Sequence, residues 1–338
     1  MFTVERQTAR LLTYKDPLEM AEYAARICYD STDKMKPGSA EPLIRALIKR
    51  GHYTPLEHAY VRLYLERITA HDNKVYAKSL YTFAASGDYP FADRRLTRGS
   101  FYRGEDDKGP YVAGNLRDIH WYLSQHCDAI DIIKEAAELA PDYAVLELIT
   151  DRGIATEFFR HRTMSYDDNG AKALAVDFVQ EPAINQQSTR YVNFDKKNAF
   201  LILPEPAEWV YDQTKWEYLM WYQSCKMSMQ YYLDMVMNNM PPEYARNVLP
   251  LSLGTKVVMS GSLINWMYVL KLRLPKGAHP QARLLASYIW DILKVNYPTY
   301  INRYLENGKL DKQFAIADFD KEAAEIQSLV KPIKEHPL

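Results

Sequence analysis

YAVLELITDRGIATEFFRHR, residues 143–162, passes from a strand through a turn into a helix. Residues 143–150 have the pattern of a strand. The DRG triplet at 151–153 predicts a turn, and residues 154 to about 160 have helical spacing. The RHR triplet at 160–162 is therefore expected at a helix end.

A second strand is predicted at residues 59–66. Apolar side chains from Ala59 to Leu65 alternate with larger or polar ones, the period-two signature of a half-buried strand. We interpret the intervening residues, about 68–141, as an elaboration on a single domain rather than a separate core. That domain spans 1–310, and residues 311–338 form a charged, peripheral helical tail.

Helices are predicted in five further stretches. Asp16 caps the first and Pro17 opens it. The second runs from about residue 42 to Gly51, a glycine suited to end it. The others lie at about 208–237, 256–272 and 279–296. Strands early in the chain and helices late predict an α+β fold rather than a wound parallel sheet.

Composition limits the function classes. The chain has 338 residues, of which 47% are hydrophobic and 25% are charged, an ordinary balance for a folded protein. A formal net charge of −1 gives no long-range attraction to a nucleic-acid polymer, so phosphate binding must be local. No run of about 18 apolar residues and no targeting segment occurs, so we expect no membrane association and a cytoplasmic location.

Three cysteines, Cys28, Cys127 and Cys225, form no CxxC motif. This odd, sparse set fits free thiols in a reducing compartment and disfavours a disulfide scaffold. Cys28 lies on an apolar helix stripe, and the other two lie in helical stretches, so none is an obvious nucleophile.

Polar side chains gather in three clusters. RHR at 160–162 offers forked donors suited to phosphate, and a solvated basic helix end is the alternative. NQQSTRY at 185–191 suits a nucleotide phosphate and a base edge, and a polar turn is the alternative. GHYTPLEH at 51–58 holds two histidines and a carboxylate, and we expect core or hydrogen-bonding histidines there rather than a metal site.

RHR with Ser165, followed by QQSTRY at 186–191, resembles the signature of flavin-dependent thymidylate synthases, whose core is RHR, a short spacer and S-x-R-Y. Upstream, ARICY at 25–29, GHYTPLEH at 51–58 and DRG at 151–153 are similar to family segments. Downstream, so are ARNVLP at 245–250 and LR at 272–273 followed by AHPQ at 278–281. The similarity covers roughly residues 15–300, in the family's order.

The resemblance implies an enzyme that methylates dUMP to dTMP with methylenetetrahydrofolate, FAD and NADPH. It implies a homotetramer with active sites at subunit interfaces, built on a curved, mainly antiparallel sheet. The residues implied to surround FAD are His52, Thr54, Arg160, His161, Arg162, Gln186 and His279. Those implied to meet the nucleotide are Glu157, Arg160, Gln187, Ser188, Thr189, Arg190, Arg246 and Arg273.

Arg273 is implied to be the catalytic residue. A guanidinium is no base at neutral pH, but it holds a pyrimidine as its anion, which makes C5 nucleophilic. A surface arginine at a helix end is the alternative. Glu157 lies three residues before Arg160, so an i,i+3 pair that directs this guanidinium is an equally good interpretation of Glu157.

Two features depart from the family. Residues 163–187 separate Arg162 from Ser188 where the family has seven residues, so a segment at about 166–183 is interpreted as an insertion. Ser262, Ile264 and Tyr268 occupy positions where the family has polar, flavin-facing side chains, and they receive no flavin role. Two alternatives stay open: a flavoenzyme for another pyrimidine nucleotide such as dCMP, and a nucleotide-binding homologue without flavin chemistry.

Overall fold

The computed structural model describes residues 2–86, 101–163, 182–190, 194, 199–306 and 316–333. The strands are β1 (Thr3–Glu5), β2 (Thr8–Leu11), β3 (Tyr60–Tyr64), β4 (Phe101–Asp106), β5 (Gly109–Asn115), β6 (Ala137–Leu139), β7 (Tyr143–Asp151), β8 (Ala183–Gln186), β9 (Phe200–Ile202) and β10 (Gly254–Ser262). The α-helices are α1 (Pro17–Cys28), α2 (Ala40–Lys49), α3 (His71–Ser86), α4 (Leu116–Leu123), α5 (Ala129–Ala136), α6 (Arg152–Phe159), α7 (Trp216–Met237), α8 (Pro242–Ala245), α9 (Leu263–Arg273), α10 (Pro280–Asn296), α11 (Pro298–Glu306) and α12 (Ile316–Ser328). The predicted α+β class is confirmed, because helices pack on antiparallel sheets that do not close.

The central sheet has the strand order β2-β7-β10-β8, and each neighbouring pair is antiparallel. β7 and β10 pair along their whole length, from Gly254 opposite Asp151 to Ser262 opposite Tyr143. The strand predicted at 143–150 is therefore confirmed. This register fixes the end of the sheet at which each following helix begins.

Residues 256–262 belong to β10, so the helix predicted at 256–272 is wrong over that part. A short apolar run fits a buried strand as well as a buried helix, and periodicity alone does not separate them. Here β7 pairs with one edge of β10 and β8 pairs with the other. The β-branched Val257 and Val258 also suit a pleated backbone. The helix begins only at Leu263.

The second sheet has the strand order β4-β5-β3-β6. β3 confirms the strand predicted at 59–66, but the prediction that it is half-buried is wrong. Tyr60 and Tyr64 are buried together with Val61 and Leu63, because β3 is an inner strand that packs on both faces. The other three strands of this sheet come from residues 101–139.

The two faces of the central sheet pack in different apolar clusters. Val145 and Val258 face the cluster that contains α1, whereas Leu146 and Met259 face the cluster built by α6, α9, α10 and α12. Within the latter, the fully buried Trp266 of α9 donates Nε1–H to the carbonyl oxygen of Ala144 in β7 at 3.1 Å. Packing and this hydrogen bond therefore position α9 against β7.

α7 leaves an apolar face exposed. The helix predicted at 208–237 is a 3-10 turn at Glu208–Tyr211 followed by α7. The exposed fractions of four of its apolar residues lie between 51% and 68%: Trp216, Met220, Tyr231 and Met237. None of the described helices combines the length and the apolar character needed to cross a bilayer.

Ser262 is the N-cap of α9. Its backbone N donates to Oδ1 of Asn265 at 3.0 Å, and the backbone N of Asn265 donates to Oγ of Ser262 at 3.3 Å, a reciprocal capping box. Ile264 is only 2% exposed, and Tyr268 packs against the apolar cluster of α9. In this chain, capping and packing therefore occupy Ser262, Ile264 and Tyr268.

We expect Ser262→Ala to lower the free energy of unfolding by about 1 kcal/mol, because loss of an N-cap oxygen typically costs this much. Urea denaturation at neutral pH measures the change. Ser262→Asp keeps a capping oxygen and serves as the control, with a stability within about 0.5 kcal/mol of the wild type. Equal stability of wild type and the alanine variant would contradict the capping role.

Candidate functional site

α6 carries the first polar cluster and begins at a buried carboxylate. Asp151 accepts at Oδ1 from the backbone N of Ile154 and at Oδ2 from Nε2 of Gln281, both at 2.7 Å. Burial raises the pKa of this carboxyl. The turn predicted at 151–153 is thus the cap and first turn of α6, which leads into a 3-10 turn at Arg160–Thr163.

Arg273, at the end of α9, donates to three acceptors at the end of α6. Its Nη1 donates to Oε2 of Glu157 at 2.7 Å, and its Nη2 donates to the backbone oxygen of Glu157 at 2.6 Å. Its Nε donates to Nε2 of His161 at 2.9 Å. We call Arg273, Glu157 and His161 the Arg273 cluster. Hydrogen bonds to charged groups contribute about 1.5–3 kcal/mol each, so the cluster ties α9 to α6.

His161 is the neutral member of the Arg273 cluster. The residue is 3% exposed. Burial and, secondarily, the charge of Arg273 lower its pKa from 6.5 to about 4. Because Nε2 accepts from Arg273, the proton of the neutral ring is assigned to Nδ1. His161 thus provides an N–H donor rather than a positive charge near neutral pH.

Arg160 presents its guanidinium to solvent. The side chain is 74% exposed, and Nη1 lies 3.9 Å from Oε1 of Glu157. The i,i+3 pair considered from the sequence is therefore present but long, and the short hydrogen bonds of Glu157 go to Arg273 instead. Arg160 keeps N–H donors for an anion such as phosphate. The side chain of Arg162 lies outside the described residues.

The second polar cluster begins at the edge of the central sheet. Gln186 ends β8 and donates Nε2–H to Oγ1 of Thr255 at 3.1 Å. The backbone N of the buried Gln187 donates to the carbonyl oxygen of Lys256 at 2.9 Å. Pairing with β10 therefore sets the position of both glutamines.

The chain then turns outward after Gln187. The backbone N of Ser188 donates to the carbonyl oxygen of Cys28 at 3.0 Å, and the backbone N of Arg190 donates to Oγ of Ser188 at 3.2 Å. Nη1 of Arg246 donates to Oγ1 of Thr189 at 3.4 Å. The polar turn and the anion-binding interpretations are compatible, since the turn exposes Arg190 and places Arg246 beside Thr189.

Arg152, to which the sequence analysis assigned no site role, lies near the second polar cluster. Burial, and then the charge of Arg246, lower the pKa of Arg152, so the two guanidiniums are close enough to repel. Arg152 lies in the first turn of α6, where the backbone N–H groups are suited to an anion. The available signal was an arginine in the first turn of a predicted helix.

His52, Thr54 and His279 lie on the surface. His52 and Thr54 are exposed at the 3-10 turn Thr54–His58. The exposed His279 caps α10 and accepts at Nδ1 from the backbone N of Gln281 at 3.3 Å. Within the described ranges, none of these three residues hydrogen-bonds to the Arg273 cluster. Within one chain, direct hydrogen bonds therefore connect only some of the residues expected in the site.

His58, the second histidine of the 51–58 segment, lies in the core. Its Nδ1 is 3.0 Å from Oγ of Ser260, which is 3.1 Å from the hydroxyl of Tyr143. Complete burial lowers its pKa to about 3. It is therefore a neutral core histidine that is hydrogen-bonded to the central sheet.

A cavity of about 490 Å³ lies away from these clusters, with Tyr14, Tyr60 and Tyr143 among its lining residues. The lining of this cavity includes no residue of either polar cluster. Residues 166–181 of the expected insertion lie outside the described residues. The same is true of Ser165 and Tyr191.

An arginine bonded to a neutral histidine, with further exposed arginines on the same α+β fold, is an arrangement suited to an anionic ligand. Residues 10–73 and 141–299 match the family described as "Thymidylate synthase complementing protein". The unmatched residues 74–140 build most of the second sheet. Because the match covers more than half of the chain, the protein belongs to this enzyme family, that of the flavin-dependent thymidylate synthases.

Three relatives carry this family name. The chain is 28% identical over 159 residues to a probable flavin-dependent thymidylate synthase of Paramecium bursaria Chlorella virus 1. The aligned region covers 46% of this chain and 68% of the relative. For the flavin-dependent thymidylate synthase of Synechocystis sp., the values are 23% over 187 residues, with 54% and 74% covered. For that of Borreliella burgdorferi they are 24% over 177 residues, with 48% and 63% covered.

We expect His161 to make the fold acid-sensitive. Its folded-state pKa of about 4 lies below its ordinary value of 6.5, so the unfolded chain binds the proton first as pH falls. The stabilisation by neutral His161 is complete above about pH 6.5 and is lost towards pH 4, by roughly 3 kcal/mol at most.

His161→Gln retains an oxygen acceptor for Arg273 and does not titrate. Urea denaturation of the wild type and this variant should therefore give stabilities whose difference shrinks as pH falls from 6.5 to 4. His58 titrates in both proteins and cancels in the comparison. A difference that is independent of pH would rule out the proposed titration of His161.

Proposed function

We propose that the protein is a flavin-dependent thymidylate synthase that converts dUMP to dTMP with methylenetetrahydrofolate as one-carbon donor, FAD as cofactor and NADPH as reductant. The observation that carries the proposal is the position of Arg273, which lies beside the RHR segment through its hydrogen bonds to Glu157 and His161. Family membership supports the same reaction.

The dUMP phosphate is assigned to the second polar cluster. Arg190 and Arg246 are exposed, and Ser188 and Thr189 add hydroxyl groups next to them. Arg152 adds positive charge near Arg246. Guanidiniums and hydroxyls are suited to phosphate oxygens, and the net charge of −1 means that this attraction is local rather than global.

The hydrogen-bond donors beside the Arg273 cluster are also suited to FAD. Arg160 is exposed and only loosely paired, which leaves its guanidinium available for a diphosphate. The residues proposed to hold FAD are His52, Thr54, Arg160, His161, Arg162, Gln186 and His279. Bound FAD supplies the hydride-transfer chemistry that no side chain supplies. Since Ser262 caps α9 and Ile264 is buried, FAD binding depends on the other residues.

Arg273 is proposed to stabilise the pyrimidine anion. Its side chain is 14% exposed, so its charge acts in a partly dry environment where electrostatic stabilisation is stronger than in water. The cysteines favour this route over nucleophilic attack by a thiolate. Burial raises the pKa of Cys28 to about 11, and it also raises the pKa of Cys127 and Cys225.

A homotetramer with active sites at subunit contacts is part of the proposal. In one chain, Arg160 and Arg190 are exposed, and so are the flavin-assigned histidines His52 and His279, which have no described hydrogen bond to the Arg273 cluster. α7 also exposes apolar side chains that a monomer rarely leaves in water. A second copy would cover such a face and add residues to the site.

We expect the purified protein to be yellow, or to become yellow with added FAD, and to oxidise NADPH faster when dUMP is present. The reason is that the proposed residues bind both ligands in one site. The visible spectrum during titration with FAD and then dUMP, followed by chromatography for dTMP, measures this. A colourless protein that cannot be reconstituted with FAD would defeat the proposal.

Arg273→Gln is expected to lower kcat about 100-fold to 1,000-fold, the range typical for loss of one preorganised donor to a developing anion. FAD content, read from the visible spectrum, should stay near that of the wild type. Arg103→Gln, on the exposed face of β4, is the matched control and should keep wild-type turnover. Unchanged kcat in Arg273→Gln would remove the catalytic role.

Two other functions remain as candidates because Ser262 caps α9 and Ile264 is buried, at positions where the family has flavin-facing polar side chains. Side-by-side turnover of dUMP and dCMP distinguishes the first, a flavoenzyme for another pyrimidine nucleotide. Calorimetry that detects dUMP binding but no FAD binding would favour the second, a nucleotide-binding homologue without flavin chemistry.

A further inference from the structure

Glu157 has one engaged and one available carboxylate oxygen. Oε2 accepts from Nη1 of Arg273 at 2.7 Å. Oε1 lies 3.9 Å from Nη1 of Arg160, which is beyond hydrogen-bond range. The side chain is 28% exposed. A ligand that contacts Arg273 can therefore also reach a carboxylate oxygen of Glu157.

Arg273 and Glu157 present a donor and an acceptor side by side. Three of the five guanidinium N–H groups are used in the Arg273 cluster, which leaves two for a ligand. The edge of a uracil ring has the complementary pattern, since N3–H is a donor between the acceptors O2 and O4. A uracil edge that pairs with Arg273 would bring N3–H next to the carboxylate of Glu157, because that carboxylate is hydrogen-bonded to Arg273.

We propose that Glu157 accepts the N3 proton of the uracil ring while Arg273 holds the resulting anion, an inference that rests on the proposed function. The N3–H bond breaks, and an O–H bond forms at Oε1. The electron pair left on N3 spreads over O2 and O4, so these carbonyl groups withdraw less charge from the N1–C6=C5 enamine and C5 becomes more nucleophilic. The proton returns to N3 when the charge leaves the ring, and no additional co-reactant is consumed.

The other members of the Arg273 cluster cannot take this proton. The guanidinium of Arg273 is a hydrogen-bond donor only and has no acceptor lone pair to offer. His161 uses Nε2 to accept from Arg273. Its pKa of about 4 agrees with a ring that resists protonation in this position. Glu157 is therefore the member that keeps an open acceptor.

Proton transfer to Glu157 also preserves the charge balance of the cluster. Before transfer, Arg273 faces a carboxylate and a neutral ring. After transfer, it faces a neutral carboxylic acid and an anionic ring. The guanidinium has one anionic partner in each state, whereas a ring anion formed beside ionised Glu157 would be opposed by like-charge repulsion.

The same arrangement selects the base. Neutral cytosine has no proton on N3. A cytosine nucleotide therefore cannot form a ring anion by giving an N3 proton to Glu157. Glu157 therefore favours dUMP over dCMP as the substrate, and this preference is specific to a carboxylate at that position.

The test is Glu157→Gln in the FAD-loaded enzyme with NADPH and methylenetetrahydrofolate. Glutamine keeps an oxygen that accepts from Arg273 but takes no proton near neutral pH. We expect kcat with dUMP to fall about 100-fold or more, in the range typical of general base catalysis, with KM for dUMP within about threefold of the wild type. Glu157→Asp should retain more turnover than the glutamine variant. Glu105→Gln, an exposed carboxylate on β4, is the matched control.

The pH profile separates proton transfer from simple positioning. In Glu157→Gln the ring must lose its proton to solvent, so kcat should rise about tenfold per pH unit in the alkaline range. The wild type should show no such rise. Among the described residues, the charged groups that face Glu157 are Arg273 and Arg160. The pKa of about 4 keeps His161 neutral throughout the alkaline range. Visible absorbance and dUMP calorimetry establish that the variant is folded and loaded.

Wild-type kcat and an unchanged pH profile in Glu157→Gln would overturn proton transfer and leave the proposed function intact. Loss of dUMP binding in both Glu157→Gln and Glu157→Asp would also overturn it, because Glu157 would then position the substrate. A wild-type enzyme that neither binds dUMP nor forms dTMP would overturn the proposed function itself.

Discussion

The antiparallel pairing of β7 with β10 is the constraint on which the candidate site depends. Gly254 lies opposite Asp151 and Ser262 lies opposite Tyr143, so the helices that follow these strands begin at opposite ends of the sheet. α9 has 11 residues and a length of about 16 Å, and it runs back along the sheet. Its last residue, Arg273, therefore reaches the end of α6, which carries Glu157.

The electrostatics of the site follow from that meeting. Burial and, secondarily, the neighbouring guanidinium of Arg273 lower the pKa of His161 and keep its imidazole neutral. Glu157 balances the charge of Arg273, whereas Arg160 stays exposed and loosely paired. Residues 157–161 thus supply a carboxylate, an exposed guanidinium and an uncharged N–H donor. This combination is suited to binding an anionic nucleotide.

Much of the local structure was predictable because its causes are local. Asp16 caps α1 by accepting from the backbone N of Leu18, and the strand at 143–151 and the helix after it form where the pattern predicts them. The predictions failed where long-range contacts decide. Residues 256–262 are a strand because β7 and β8 pair with them, and β3 is buried on both faces because it lies inside the second sheet.

The sequence alone determined which groups are available and in what order, since side-chain chemistry, caps and motif spacing are properties of neighbouring residues. The tertiary structure alone decided which groups meet. Glu157 bonds Arg273, 116 residues away, rather than the nearby Arg160, and Arg246 reaches Thr189 across 57 residues. These partners are set by strand register and helix direction, which depend on packing of the whole chain and leave no signal in local spacing.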